Sequence, residues 1–131
     1  MDYEEYVNLA HQAAQSVESG EYEQALGIFH TLLASDISDL DKAMMCQNIG
    51  VVQEKMGSER EALLSYERGM SYERPHGRSS LAEQRAGYLY RIGRLAESLR
   101  AYEELLHRSS LKEEEKQRMR HNIGALREQI G

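Results

Sequence analysis

Residues 47–57 read QNIGVVQEKMG, and residues 122–131 read NIGALREQIG. Asn-Ile-Gly recurs at 48–50 and 122–124, and in each copy a second glycine follows seven residues after the first, at Gly57 and Gly131. A repeated segment implies a repeated structural unit, so the period decides the fold. Working outward, glycines at 20, 57, 93 and 131 each close a stretch of helical apolar spacing, and they stand 37, 36 and 38 residues apart. Glycine ends helices because it takes the left-handed C′ geometry without a Cβ clash.

The stretches between these glycines read as helices in pairs. Residues 2–18 carry Tyr6, Leu9, Ala10, Ala13 and Val17 at helical spacing, with Asp2 and Glu5 as a first-turn cap. Residues 22–34 place Tyr22, Ala25, Leu26, Phe29, Leu32 and Leu33 on one face. Ser38 with Asp41 caps a third helix, about 39–56, and a fourth covers 59–73. Arg74-Pro75-His76-Gly77-Arg78 combines proline and glycine and reads as a turn or short loop. Ser80 and Glu83 have capping-box spacing and open a helix to Ile92; another spans 95–107. Ser110 and Glu113 repeat that spacing before a last helix from Leu111 to Ile130. That makes seven helices and no strand signal.

Length and composition set bounds. At 131 residues the chain suits one domain with a real core. No apolar run approaches the length of a membrane span, and Met1-Asp2-Tyr3-Glu4-Glu5 lacks the start of a secretory signal. Cys46 is the only cysteine, which fits a reducing compartment, and the cytoplasm is the expected location. The net charge of −6 conceals an asymmetry: residues 1–41 hold nine Asp or Glu and no Lys or Arg. The rest carries all 16 Lys and Arg against 13 acids. Nucleic acid is not an expected partner, since phosphate binding needs a concentrated basic face.

The spacing of small and aromatic residues carries a resemblance. The second unit has Ile49-Gly50, then Ala62-x-x-x-Tyr66; the first has Leu9 and Ala13, then Ala25-x-x-x-Phe29. The third has Ala82 and Ala86, then Ser98-x-x-x-Tyr102, and the fourth only Ile123-Gly124. This pattern resembles the tetratricopeptide repeat (TPR) family. The resemblance implies an all-α, right-handed α-α superhelix, or solenoid, of three helix-turn-helix repeats plus a C-terminal capping helix. Repeats would run over about 2–35, 39–74 and 79–108, with the final helix at 111–130, in a single domain of residues 1–131. Small residues at Ala13, Gly50, Ala86 and Gly124 would let the second helix of each pair close on the first. Phe29, Tyr66 and Tyr102 would fill the space between one hairpin and the next. The period exceeds the usual ~34 residues of the family, so longer junctions and an altered twist are expected. Three roles stay open for the last helix: a cap, the cut edge of a longer array, or a surface for a partner's helix.

Catalytic and metal chemistry find no support. None of His11, His30, His76, His107 and His121 lies three or four residues from another, and no cysteine pair exists. The glycines end helices rather than forming a phosphate loop. Cys46 sits at a packing position, which argues for an inert buried thiol. Neither an enzyme nor a cofactor site is expected.

In the resembled family, partners lie in a concave groove lined by the first helix of each pair. Carried onto this chain, the groove would be lined in the first unit by Val7, Ala10, Ala14 and Val17. The second unit would add Met44, Gln47, Asn48, Val51, Glu54 and Lys55, and the third Ser80, Glu83, Gly87, Tyr90 and Arg91. The last helix would add Arg118, His121, Ala125 and Glu128. Ala14, Val51, Gly87 and Ala125 form a uniformly small row that would admit a ligand backbone or helix. The same positions also suit an ordinary solvated face. The expected function is a protein-interaction adaptor binding a peptide or partner helix. The alternative is head-to-tail self-assembly of the acidic first unit on the basic last helix (Lys116, Arg118, Arg120, Arg127). One family activity is not expected. The clamp for the Glu-Glu-Val-Asp tail of heat-shock chaperones uses Lys and Asn, then Asn, then Lys and Arg. Here Ala10 and Ala14, then Asn48, then Ser80 and Gln84 stand at those places, and a carboxylate needs charged donors.

Overall fold

Local chemistry fixes where each helix starts and stops. The computed structural model describes residues 1–108 and 110–131. Among them are seven α-helices and no strand: α1 Tyr3–Glu18, α2 Tyr22–Leu33, α3 Asp39–Lys55, α4 Glu59–Glu73, α5 Ser80–Arg91, α6 Leu95–Leu106 and α7 Glu113–Ile130. The four punctuating glycines all have left-handed φ, between 75° and 94°. At Gly57 the termination is a Schellman turn, with Gly57 N–H donating to the Glu54 carbonyl and Ser58 N–H to Gln53. The same pair of bonds recurs around Gly20 and Gly93.

The chain forms two compact units, residues 1–72 and 73–131. In the first, Asp2 accepts from Glu5 N–H at 2.8 Å and Ser38 from Asp41 N–H at 3.2 Å, so both expected caps are present. Helix α1 packs on α2 and α2 on α3. Ala13 and Ala25 have no exposed surface, as a close helix pair requires. Helix α4 closes on α3 through Tyr66, whose ring lies on Gly50 while its hydroxyl donates to Glu54. The aromatic therefore packs against the first helix of its own hairpin. The cause is the missing side chain at Gly50: it leaves a ring-sized recess on α3, and Tyr66 fills it.

In the second unit, α5 packs on α6 and α6 on α7. Ser98 has no exposed surface and donates to the Ala86 carbonyl at 2.7 Å, at the place in its hairpin that Ala25 takes in the first. Three local expectations change. Arg74–His76 form a turn of 3-10 helix, ended by Gly77 at φ 68°. Ser80 is not the cap of α5 but its first residue; Ser79 is the N-cap. One orphan donor there, Leu81 N–H, goes to the buried carboxylate of Glu73 at 2.8 Å, which also accepts from the Ser80 hydroxyl. An anion at a helix N-terminus also meets the dipole favourably. Helix α7 starts at Glu113, two residues later than expected, with Lys112 at the N-cap donating its N–H to Glu115 at 2.9 Å. Leu111 is buried ahead of the helix instead of in it.

Candidate functional site

The first unit carries an open apolar cleft of about 630 Å3 between α1 and α3. Helix α1 supplies Tyr6, Ala10, Ala14 and Val17, one face at helical spacing. Helix α3 supplies Met44, Gln47, Asn48 and Val51 by the same periodicity, and Phe29 of α2 with Met45 and Val52 line the remainder. Alanine at 10 and 14 leaves the space that larger residues would fill. No lining residue is charged, and the only side-chain amides are Gln47 and Asn48. The volume lies in the range of ligand-binding clefts, about 300–1,000 Å3.

The second unit has a smaller hollow of about 250 Å3, lined by Gly87 and Tyr90 of α5, Tyr102 of α6, and Asn122, Ala125 and Leu126 of α7. Gln129 donates to the Tyr90 hydroxyl at 2.8 Å, bracing α7 against α5. Burial, and next the Glu83 carboxylate, push the Tyr102 phenol above its usual range, so it stays a neutral hydroxyl. A third, polar hollow of about 660 Å3 includes His76, Arg78, Lys112, Glu114, Glu83 and Arg118. There Arg118 holds Glu83 in a two-pronged ion pair, Nε–Oε1 2.6 Å and Nη2–Oε2 2.9 Å.

The thirteen positions singled out from sequence thus divide. Ala10, Ala14, Gln47, Asn48 and Val51 come together in the first cleft, and Gly87, Tyr90 and Ala125 in the second. The small row falls two and two, Ala14 with Val51 and Gly87 with Ala125. Glu83 and Arg118 satisfy each other. Arg91 lies over the Tyr88 ring, 5.3 Å from its centroid. Lys55 and His121 are exposed outside these hollows. Tyr6 and Phe29 also line the first cleft but read as packing residues in sequence; their i−4 and cross-helix relation to Ala10 was the available signal. Cys46 is buried at 1% exposure, and burial pushes its thiol up despite Arg68 nearby. No group of three or more His, Cys, Asp or Glu that could hold a metal occurs among the described residues. No described helix is long and apolar enough to cross a membrane.

The fold of these helices is matched in solved structures. One is the Yersinia enterocolitica type III secretion chaperone SycD in complex with a peptide of the translocator YopD. It is 21% identical, with 99% of this chain and 98% of that chain covered, at a TM-score of 0.72. PcrH from Pseudomonas aeruginosa is 17% identical over 97% of this chain and 95% of its own, also at 0.72. The first TPR of Spaghetti (RPAP3), bound to the HSP90 peptide SRMEEVD, is 15% identical over 97% of both chains at 0.64. The chain has a TPR-like fold. Neither a family model nor a curated protein matches the sequence. In TPR-like terms α1, α3, α5 and α7 are the first helices of their repeats, and they supply most of the lining of both apolar hollows.

Proposed function

We propose that this protein is a peptide-binding adaptor that holds an apolar segment of another protein in the α1–α3 cleft. The observation that carries the reading is the cleft itself: about 630 Å3, lined by small and apolar side chains, with Gln47 and Asn48 as its side-chain amides. Such a surface gains free energy by releasing water from apolar area, about 25 cal/mol per Å2, and positions a backbone through a few polar groups. Two of the similar structures hold peptides of other proteins, which supports the reading.

The chemistry of the lining selects among peptides. The RPAP3 structure holds a peptide ending in Glu-Glu-Val-Asp, whose carboxylates need charge-assisted donors. The cleft of this chain has no Lys or Arg in its lining, so its ligand is apolar there and not an acidic tail. Titration calorimetry with Met-Glu-Glu-Val-Asp is expected to give no heat of binding; a micromolar Kd would contradict this. In a pull-down, Val51→Glu is expected to release the partner, and a partner retained by that change would place the site elsewhere.

Head-to-tail assembly ranks second. The three arginines of α7 that it needs each already face a glutamate: Arg118–Glu83, Arg120–Glu113 at 3.3 Å and Arg127–Glu103 at 2.9 Å. A monomer in light scattering at low salt is the expected result.

A further inference from the structure

At one end the α1–α3 cleft runs into a second hollow of about 490 Å3, and Tyr6 and Met44 line both. The chemistry changes across those two side chains. Beyond them stand Asp2, Asp36 and Asp41, beside Tyr3 and Ile37. Asp2 is committed to capping α1, but Asp36 and Asp41 hold no ion pair among the described residues. The neighbouring lysine does not neutralise them: the Lys42 ammonium lies over Tyr72, 5.8 Å from the ring centroid. Against three carboxylates this lining sets no Lys, Arg or His. Around them the large apolar side chains are open to solvent, Tyr3 at 81% and Met44 at 51% exposure. Tyr6 reports the same proximity, its phenol raised first by burial and then by Asp41.

We propose, resting on the reading of the α1–α3 cleft as a peptide site, that its occupant is a segment of mixed character. Apolar side chains lie against Ala10, Ala14 and Val51, and an adjoining Lys or Arg lies over Asp36 and Asp41. Charge complementarity and continuity both favour this occupant. One apolar surface leads into an acidic one, and no Lys or Arg occurs anywhere in residues 1–41 to compete. Low-dielectric walls strengthen the field of the carboxylates at the mouth. The exposed Tyr3 ring adds a face on which a cation or its methylene stem can rest. An acidic segment meets like charge at this end and no donor cation in the cleft.

The test is selection of random dodecapeptides displayed on phage against the full chain at low salt, with binding measured afterwards by fluorescence anisotropy. Selected peptides are expected to place Lys or Arg next to two or more apolar residues. Asp36→Asn with Asp41→Asn should weaken them about three- to tenfold, the range for two partly exposed charge pairs, and less at high salt. Selection against that variant should keep the apolar residues and lose the basic bias. Asp36→Asn alone, at an exposed position, carries the test if the Asp41 change disturbs the first turn of α3. Ala14→Gln with Val51→Gln fills the cleft without adding charge and should abolish binding. Peptides that need Ala14 and Val51 yet show no basic bias overturn the charge proposal and leave the cleft reading standing. Peptides indifferent to the glutamine changes, or a failure to enrich any peptide, overturn both.

Discussion

Asn48-Ile49-Gly50 and Asn122-Ile123-Gly124 are the same three residues on two helices, and they meet different surroundings. On one face the two agree. Met45, Ile49 and Val52 are buried on α3, and Met119, Ile123 and Leu126, at the same offsets, are buried on α7. On the next face they part. On α3 it holds Cys46 and Gly50, both buried, with the Tyr66 ring on the glycine. On α7 it holds Arg120 and Gly124, both exposed, and a Cβ added at Gly124 meets nothing within 4 Å. The isoleucine is buried in both copies, and the glycine carries a packed ring only in the first. One tripeptide thus carries two packing contacts, of which the second copy makes one.

The comparison breaks most visibly at Tyr66. Tyr66→Ala removes a fully buried ring and its bond to Glu54, and is expected to cost about 3–5 kcal/mol in urea unfolding followed by circular dichroism. Gly50→Ala comes next. The new methyl would overlap the ring, with Cδ1 at 2.8 Å and Cζ at 2.9 Å. Overpacking of about 1–3 kcal/mol, less about 1 kcal/mol of helix propensity, leaves a net loss of up to about 2 kcal/mol. Gly124→Ala has the propensity gain without the overlap, so it should stabilise by about 0.5–1 kcal/mol. Equal shifts in the two alanine variants would contradict the account.

The smallest effect on stability is at Cys46, and it is read as reactivity. Burial raises the folded thiol above its unfolded value. The protonated thiol is thus favoured by folding, a contribution present below the unfolded pKa and lost as pH rises through the folded one. Ellman's reagent at mildly alkaline pH should label Cys46 only as the chain unfolds. A cysteine placed by Arg120→Cys, in a Cys46→Ser background, should react at once. Fast labelling of native Cys46 would show that α4 does not cover this face.

Much of this was legible in the sequence, and the misses share a cause. The left-handed glycines, the Asp2 and Ser38 caps and the seven helices follow from local chemistry, which sequence spacing records directly. Ser80 with Glu83 has the same spacing as a capping box and is not one. The competing acceptor, Glu73, lies in the preceding helix, and Glu83 is held by Arg118 thirty-five residues away. Likewise Gly124 repeats the sequence setting of Gly50 but has no ring packed on it. At the candidate site, periodicity identified Ala10, Ala14, Gln47, Asn48 and Val51. The acidic mouth could not be read that way, because Asp36 and Asp41 join Tyr3 and Tyr6 only through the turn between α2 and α3.

The central claim is that the α1–α3 cleft receives an apolar peptide segment. It is tested most directly by methyl NMR on the chain labelled at alanine, valine and methionine, titrated with a peptide selected as above. Ala10, Ala14, Met44 and Val51 are expected to shift in a saturable way while Ala96 and Ala101 on α6 stay in place. Shifts confined to α6 and α7, with the methyls of these four cleft residues unmoved at saturation, would contradict it.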